Sequence, residues 1–297
     1  MAQKKKDGEM FRSALTIDVE DAVNQAMRNL FGKPMEPTFR VYDNTLRLLD
    51  LLFEFDTRAT FFILGEVAKA YPVLVKEIAS RGHELGIHGY SHTRYDRLSR
   101  EKIREEIVGT KHLVEDISGE AVIGHRAPEF SVNQENMWVL EILLDAGIKY
   151  DSSIVPAKSR RYGWQGFSKD IDWIRLVNGE KIVEAPLSVL NYLGKDLPVC
   201  GGGYLRAFPF FVTNQAFRVI QKNRPVNVYL HPYEIDPPPF QQFYMDALRT
   251  SPLKHRLLLY GYWFNRKTVM PKLRRLLSSY RFDTMQNVIN RTLNVEL

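Results

Sequence analysis

Short apolar runs alternate with helical patterns along most of this chain, and several of the runs end in a titratable residue. Residues 14–17 lead into Asp18, residues 84–87 end at His88, and residues 226–230 lead into His231. This alternation favours a parallel sheet, either a barrel or a doubly wound sheet. Because the carboxyl ends of parallel strands meet at one edge, a site is expected there.

The composition limits the chemistry that is available to this chain. Of its 297 residues 44% are hydrophobic and 26% charged, which is typical of a globular protein and excludes a disordered or collagen-like chain. Cys200 is the single cysteine, so a disulfide framework and a cysteine-rich metal site are both excluded. Any bound metal must therefore use histidine and carboxylate ligands.

Three segments are expected along the chain. Residues 1–12 form a polar tail, residues 13–236 carry the alternating pattern, and residues 237–297 form a basic helical C-terminal extension packed on it. No apolar run approaches the ~20 residues of a membrane-spanning helix, and no apolar signal-peptide core follows the lysine-rich start. We therefore expect a cytoplasmic protein.

An acidic cluster follows the first apolar run. Asp18, Glu20 and Asp21 place three carboxylates within four residues, and their mutual repulsion is relieved by exposure to water or by a bound cation. The alternative is a solvated helix N-terminus, where acidic side chains are favoured by the helix dipole.

A histidine pair follows the apolar run of residues 84–87. If a helical turn begins there, His88 and His92 lie four residues apart on one face and can ligate one metal ion. The alternative is a pair of unrelated surface or core histidines. His83 precedes the run and is interpreted as structural.

Two further basic residues stand at strand ends. Arg126 can pair with a carboxylate of the acidic cluster, or it can form an ordinary salt bridge on the rim. Leu230 precedes His231 at the end of the last predicted strand, although a lone histidine there is more often structural than catalytic.

Together these motifs resemble the polysaccharide deacetylase family, also called carbohydrate esterase family 4, over about residues 15–236. The chain is most similar to the subgroup associated with bacterial exopolysaccharide loci. The subgroup motifs Asp-Val-Glu-Asp, Arg-Ala-Pro-x-Phe-Ser, Tyr-Asp-Ser-Ser, Gly-Gly-Gly-Tyr and His-Pro-x-Glu-Ile-Asp fall on residues 18–21, 126–131, 150–153, 201–204 and 231–236.

The resemblance implies an α/β fold, a distorted parallel (β/α) barrel with about seven strands, plus the helical C-terminal extension. It also implies metal-dependent removal of the N-acetyl group from N-acetylhexosamine residues of a bacterial polysaccharide or its lipid-linked precursor. An N-acetylated glycan is then the expected substrate, and a divalent metal cation, Zn²⁺, is the expected cofactor.

The resemblance further implies catalytic roles for four residues. Asp18 is the general base, and Arg126 orients it. His231 protonates the departing amine. Asp151, at the end of the short run of residues 148–151, is expected to hold the imidazolium of His231.

The metal ligands implied by the resemblance are His88, His92 and one carboxylate. Glu20 is preferred as that carboxylate because it shares a strand face with Asp18, and Asp21 is the alternative.

Four substrate-binding residues follow from the same resemblance. The backbone N–H near Glu129 is expected to stabilise the oxyanion together with the metal, and Leu230 is expected to pack near the acetyl methyl group. Phe130 and Tyr204 complete the predicted substrate contacts.

The extension has an uneven charge. Between Asp246 and Asp283 there are nine Lys and Arg residues and no acidic residue, with aromatic residues interleaved. The plain interpretation is a helical cap with a solvated cationic face. The alternative hypothesis is peripheral attachment to anionic lipid at the inner membrane face. Nucleic acid is not an expected partner, because no recognised binding motif is present.

Other functions remain open at this stage. A metal-dependent amidohydrolase or deformylase acting on a small or lipid-linked substrate would use the same base and metal. A carbohydrate-binding pseudoenzyme is a reading of another class, but the presence of Asp18, His88, His92, Arg126 and His231 together argues against it. A glycosidase that used two carboxylates would leave the histidine pair without a role.

Overall fold

A computed structural model of the chain describes residues 11–33, 35–158, 162–236, 246 and 249–297, and strands alternate with helices along the first 150 residues. The strands are β1 (Ser13–Val19), β2 (Thr60–Ile63), β3 (Glu84–Ile87), β4 (Gly124–His125), β5 (Tyr150–Asp151), β6 (Asp172–Arg175), β7 (Lys181–Glu184), β8 (Val189–Tyr192), β9 (Lys195–Pro198), β10 (Asn227–Leu230) and β11 (Phe282–Asp283).

Helices connect and surround these strands. They are α1 (Ala22–Phe31), α2 (Phe39–Glu54), α3 (Gly65–Ala70), α4 (Pro72–Ser80), α5 (Arg100–Ser118), α6 (Val139–Asp145), α7 (Gly202–Ala207), α8 (Phe210–Ile220), α9 (Leu253–Trp263), α10 (Val269–Ser279) and α11 (Met285–Leu293). None of these helices is both long enough and apolar enough to cross a lipid bilayer.

The main sheet has the strand order β10-β1-β2-β3-β4-β5-β7-β6. The seven strands from β10 to β7 on this path run parallel, and β6 is antiparallel to β7. The distorted parallel (β/α) barrel with about seven strands that the sequence predicts is therefore confirmed.

Side chains join the barrel where its strands do not pair. Asn227 of β10 donates its amide to the carbonyl oxygens of Ala185 and Pro186, which follow β7, at 3.1 and 3.2 Å. Its backbone N–H also donates to Ser188 Oγ at 2.8 Å. These bonds hold β10 near the end of β7 without a backbone ladder between the two strands.

Local capping explains the boundaries of two helices. The Asp21 carboxylate accepts from the backbone N–H groups of Val23 and Asn24, both at 2.8 Å, and so caps α1. Ser99 caps α5 at its start, and Gly119 ends that helix with a left-handed φ of 74°. From the sequence, Ser99 as N-cap and a stop at Gly119 predict a helix over residues 99–117, and the structure confirms it.

Other element predictions need correction. From the sequence, residues 67–80 are expected to form one helix, but the structure has two, because Tyr71, just before Pro72, leaves the helical conformation. The apolar run 121–125 predicts a fourth strand, and only Gly124–His125 of it forms β4. The extension also contributes more than helices, since β11 pairs with β1 in the main sheet.

The extension closes the barrel at the end where its strands begin. Met285, Val288 and Ile289 of α11 are buried against strand residues that include Phe62 and Tyr150. The backbone N–H of Met285 donates to Thr60 Oγ1 at 2.7 Å. The opposite end, where the strands finish, is left for the site.

Candidate active site

Carboxyl ends of strands bring the predicted polar residues together, as the sequence implies. Asp18 lies near the end of β1 and Glu20 directly after it, His88 follows β3, and Arg126 follows β4. His231 follows β10, which is the neighbour of β1 in the sheet. These five residues therefore meet although the chain separates them by more than 200 residues.

Two imidazoles converge on one carboxylate oxygen. Glu20 Oε1 lies 2.8 Å from His88 Nε2 and 2.9 Å from His92 Nε2, and all three side chains are buried. The other oxygen, Oε2, accepts a hydrogen bond from the Gln25 side chain. The three ligand atoms lie within 4.8 Å of one another, which is the grouping required to hold one metal ion.

The backbone that presents the histidine pair is not helical. Gly89 and His92 both have left-handed φ angles, 71° and 55°, so the segment is a loop. The sequence-based assumption of a helical turn is wrong, although the two rings do face the same oxygen. Their centroids are 5.3 Å apart.

The donor set fits a divalent cation. His88 Nδ1 lies 2.7 Å from the carbonyl oxygen of Arg126, which can only accept, so Nδ1 carries the proton. His88 Nε2 then points at Glu20 Oε1, and a cation or a proton is needed between these two atoms. Two histidines and one carboxylate with open positions form a common divalent-metal set.

Charge at this point shifts the pKa of the ligands. Burial raises the pKa of Glu20, but the charges of His92 and His231 and the hydrogen bonds from the two ligand histidines hold it well below its usual range. Burial lowers the pKa of His92, but the Glu20 carboxylate beside it outweighs burial, and the net shift is upward. The site therefore favours positive charge next to Glu20.

Arg126 clamps the neighbouring carboxylate. Its NH1 donates to Asp18 Oδ1 and to Thr16 Oγ1, both at 2.7 Å, while Nε and NH2 donate to the Ser152 carbonyl and hydroxyl oxygens at 3.0 and 2.9 Å. The guanidinium is fully buried and stacks 4.4 Å from the centre of the Phe62 ring. Asp18 is thus paired with a positive charge and held in one orientation.

His231 lies beside the two carboxylates of the site, Asp18 and Glu20. Its Nε2 lies 3.9 Å from Asp18 Oδ2 and 3.7 Å from Glu20 Oε2, and its Nδ1 lies 3.4 Å from Glu234 Oε2. Burial lowers the pKa of His231, but Glu20, Glu234 and Asp18 together raise it to about 9. The imidazole is therefore protonated at neutral pH.

The prediction that Asp151 holds His231 is wrong. Asp151 Oδ1 lies 2.7 Å from His125 Nδ1 and accepts from Ser153 Oγ at 2.6 Å, inside a fully buried network. Glu234 takes the position that Asp151 was expected to fill. Its other oxygen, Oε1, accepts from Arg206 Nε at 2.9 Å.

Asp21, the alternative metal carboxylate, does not face the ligands. Both of its oxygens are used around α1, since Oδ1 caps the helix and Oδ2 accepts from the backbone N–H and the hydroxyl of Thr38. Within the described residues, the groupings that could hold a metal include Glu20 and not Asp21. Asp21 is a helix cap in this fold.

An open cavity of about 280 Å³ adjoins these groups, close to the lower limit of ~300 Å³ that is typical of small-molecule sites. Its lining combines the polar residues with aromatic and extension residues: Asp18, Glu20, Gln25, His88, His92, Glu129, Phe130, Tyr162, Arg206, His231, Tyr233, Leu258 and Gly261.

The predicted substrate contacts are only partly brought to this cavity. Glu129 and Phe130 line it, both with φ near 52°. Leu230 is instead fully buried in the hydrophobic core, because its side chain takes the inward face of β10. Among the described residues, Tyr204 does not line the cavity. Its hydroxyl lies 3.1 Å from the hydroxyl of Tyr162, which does.

Sequence reasoning missed several residues of the site, some lining the cavity and one behind His231. Glu234 had a recognisable signal, because a Glu three residues after His231 matches the spacing of a capping box, and its Oε2 does accept from the His231 backbone N–H at 3.1 Å. Arg206 and Leu258 had none, since packing of distant segments alone brings them to the cavity.

Comparisons with known sequences divide the chain in two. Residues 24–150 match the family described as polysaccharide deacetylase, and residues 152–290 match a domain of unknown function, DUF3473. Neither match covers half of the chain.

Two curated relatives cover part of the chain. A peptidoglycan-N-acetylglucosamine deacetylase of Bacillus cereus is 32% identical over 126 residues, 42% of this chain and 43% of the relative. A peptidoglycan deacetylase of Helicobacter pylori is 31% identical over 166 residues, 51% of this chain and 54% of the relative. The chain thus spans about half the length of these relatives.

A solved structure shares the fold over nearly the whole chain. The crystal structure of a candidate polysaccharide deacetylase from Mycobacterium smegmatis superimposes with a TM-score of 0.63 at 19% identity, covering 99% of this chain and 93% of that one. The shared fold therefore extends through the C-terminal half.

Proposed function

From the premise that the chain carries a polysaccharide deacetylase domain over residues 24–150, we propose that it is a metal-dependent N-deacetylase. Its substrate would be N-acetylhexosamine residues of a bacterial polysaccharide or of its lipid-linked precursor. The observation that carries the proposal is the convergence of His88, His92 and Glu20 on one point, beside a carboxylate fixed by Arg126, at the edge of an open cavity.

His88 Nε2, His92 Nε2 and Glu20 Oε1 would hold the divalent cation, which we propose to be Zn²⁺. When bound there, it supplies Lewis acidity toward the acetyl carbonyl and toward water. Gln25 holds the second oxygen of Glu20, and the Arg126 carbonyl orients His88, so both ligands are fixed by neighbours before any ion arrives.

Asp18 would remove the proton from the attacking water. Arg126 occupies Oδ1, which leaves Oδ2, the oxygen nearer to His231, as the proton acceptor. A carboxylate held in one orientation is suited to this step, because general bases of this kind contribute ~10²–10⁴-fold to the rate. Arg126 acts as a positioning residue rather than a proton carrier.

His231 would deliver a proton to the departing amine. Its Nε2 faces the cavity near Asp18 while Nδ1 is backed by Glu234, so a protonated ring can donate on the substrate side. Since the pKa of His231 is raised to about 9, the required form is present at neutral pH. Base and acid thus stand on one side of the cavity, 3.9 Å apart.

Activity and metal content test the proposal together. Purified protein would be assayed for acetate release from N-acetylglucosamine oligosaccharides and peptidoglycan, with a small formamide and a small acetamide included to detect a broader amidohydrolase. Asp18→Asn should lower turnover ~10³-fold, with unchanged metal content. Asp145→Asn, at an exposed ion pair with Arg104, is the matched control and should retain turnover.

Two outcomes would contradict the proposal. One is wild-type turnover by Asp18→Asn; the other is full metal content in a His88→Gln/His92→Gln variant. The cytoplasmic location expected from the sequence stays a prediction, which cell fractionation would check.

A further inference from the structure

Helix α9 presents a row of apolar side chains to solvent. Leu253, Leu257, Tyr260 and the following residue Phe264 are 69%, 64%, 59% and 43% exposed. Their spacing of i, i+4, i+7 and i+11 places them on one face of the helix. We call these four residues the outer stripe.

The opposite face of α9 already has its packing partners. Leu259 and Trp263 are buried in a cluster with Ala22, Val23 and Ala26 of α1. The helix is therefore apolar on two faces, and contact with α1 accounts for only one of them. An exposed stripe of large apolar residues is costly in water and marks a surface that meets another apolar phase.

Cationic side chains flank the outer stripe. Lys254 and Arg256 are exposed, and neither forms an ion pair within the part of the chain that the structure describes. No acidic residue occurs anywhere from 247 to 282. A large apolar row beside two exposed cationic side chains complements a surface that is apolar inside and anionic outside.

Not every basic residue of the extension takes part in this surface. Lys272 is buried and donates to the carbonyl oxygens of Leu205 and Phe208 at the end of α7, both at 2.8 Å. Arg274 forms an ion pair with Glu54 at 2.5 Å. These two basic residues are therefore engaged inside the fold and do not contribute to the surface around the outer stripe.

The outer stripe adjoins the cavity. Leu258 and Gly261, on the same helix, line it, and Arg206 NH1 donates to the carbonyl oxygen of Gly261 at 2.6 Å. A surface that received the stripe would therefore lie next to the mouth of the cavity.

We propose that α9 is an interfacial helix whose outer stripe inserts into an anionic lipid bilayer, with Lys254 and Arg256 at the level of the headgroups. The charge pattern favours lipid over a protein partner, because a bilayer with anionic headgroups matches both the apolar row and the cationic Lys254 and Arg256 beside it. The binding itself is independent of the proposed function; only its use, to bring the cavity to membrane-presented glycan, rests on that function.

Vesicle sedimentation tests this inference. The full chain would be mixed with vesicles of phosphatidylcholine alone and of phosphatidylcholine with 30% phosphatidylglycerol. Binding should be at least ~10-fold tighter to the anionic vesicles and should weaken with added salt. Leu253→Glu/Leu257→Glu should lose at least ~10-fold of that binding.

Matched controls separate the stripe from general effects. Phe53→Glu/Val177→Glu changes two apolar residues that are 83% and 91% exposed elsewhere, and it should bind vesicles like the wild type. Lys254→Gln/Arg256→Gln should reduce binding to the vesicles that contain phosphatidylglycerol and should leave binding to pure phosphatidylcholine vesicles unchanged. Circular dichroism and the thermal midpoint would establish that every variant is folded.

Two results would overturn the inference. One is equal vesicle binding by the stripe variant and its control, including no binding by either. The other is a dimer in analytical ultracentrifugation that the stripe variant converts to monomer, which would assign the stripe to a second copy of the chain. Acetate release from a soluble glycan by the stripe variant keeps the proposed function a separate question, because the stripe residues do not line the cavity.

Discussion

At the scale of single residues, one buried guanidinium organises the site. Arg126 bonds Thr16 and Asp18 of β1 and Ser152 after β5, and its own carbonyl oxygen orients His88. Its charge is compensated by Asp18, since a buried cation without a partner would be strongly destabilising. The same residue thus fixes the proposed base and one proposed metal ligand.

The pairing of His231 with Glu234 leads to a prediction about pH. The pKa of His231 is raised to about 9 by Glu20 first and then by Glu234, against the effect of burial. A raised pKa means that the protonated form is complete below ~6.5 and is lost as the pH rises through about 9. Activity that needs this proton should fall on the alkaline side.

Glu234→Gln removes one of the charges that raise this pKa while keeping one of the two acceptor oxygens. The alkaline limb of kcat/KM should move to lower pH by ~1 unit or more, as measured by acetate release from pH 6 to 10. Glu141→Gln, at a partly exposed ion pair with Arg100, is the control and should leave the limb in place. An unmoved limb in Glu234→Gln would show that Glu234 does not tune His231.

The sequence predicts those site residues that stand at the ends of predicted strands. Asp18, His88, Arg126 and His231 could be singled out because each follows or ends an apolar run, and strand ends in a parallel barrel share one edge. Asp151 also stands at a strand end, but its side chain turns to His125. The direction of a side chain depends on packing, which position along a strand does not determine.

At the scale of elements, helix boundaries were predictable where caps are local, and the histidine loop was not. Ser99 and Gly119 carry the capping of α5 in their own side chain and backbone. The loop from His88 to His92 depends on contacts with other strands, since its first residue is held by Glu20 and Arg126. Spacing of four residues is compatible with a helix but does not require one.

Two glycines, one packed inside the barrel and one on a helix surface, test how tightly the strands are packed. A Cβ at Gly124 in β4 would lie 2.2 Å from the Tyr150 hydroxyl, which itself donates to Glu84 inside the barrel. Gly124→Ala should therefore lower the free energy of unfolding by ~1–3 kcal/mol through overpacking.

Gly109 is the matched position on the exposed face of α5, where a Cβ meets nothing within 4 Å. Gly109→Ala should raise the free energy of unfolding by ~0.5–1 kcal/mol, because alanine loses less conformational freedom in a helix. Urea unfolding followed by circular dichroism measures both. Equal effects of the two substitutions would contradict the packing of Tyr150 against Gly124.

At the scale of the whole molecule, the C-terminal extension belongs to the barrel and to the cavity. The sequence predicted a basic helical segment packed on the barrel, but neither the pairing of β11 with β1 nor the lining residues Leu258 and Gly261 had a sequence signal. Both arise from contacts between segments more than 200 residues apart, which local patterns do not encode.

Met285 tests the contribution of the extension to stability. Its side chain is fully buried between α11 and the strands, so Met285→Ala should lower the free energy of unfolding by ~2–5 kcal/mol through lost burial and a cavity. Metal content should stay unchanged, because Met285 lies at the end of the barrel away from the ligands. Val177→Ala, at a 91% exposed position, should change stability by less than ~0.5 kcal/mol.

Besides β2, β1 pairs with two strands from late in the chain, β10 and β11, and this has a consequence for how the protein is made. The hydrogen bond from Thr16 Oγ1 to the Val228 carbonyl joins residues 212 apart, and β11 comes later still. At a translation rate of ~5–20 residues per second, β1 emerges about 10–40 s before β10 can reach it. During that interval the nascent chain carries an open half-barrel whose strand β1 has one unpaired edge. We expect molecular chaperones to bind this state, because the unpaired edge can otherwise pair with another nascent chain on the same polysome.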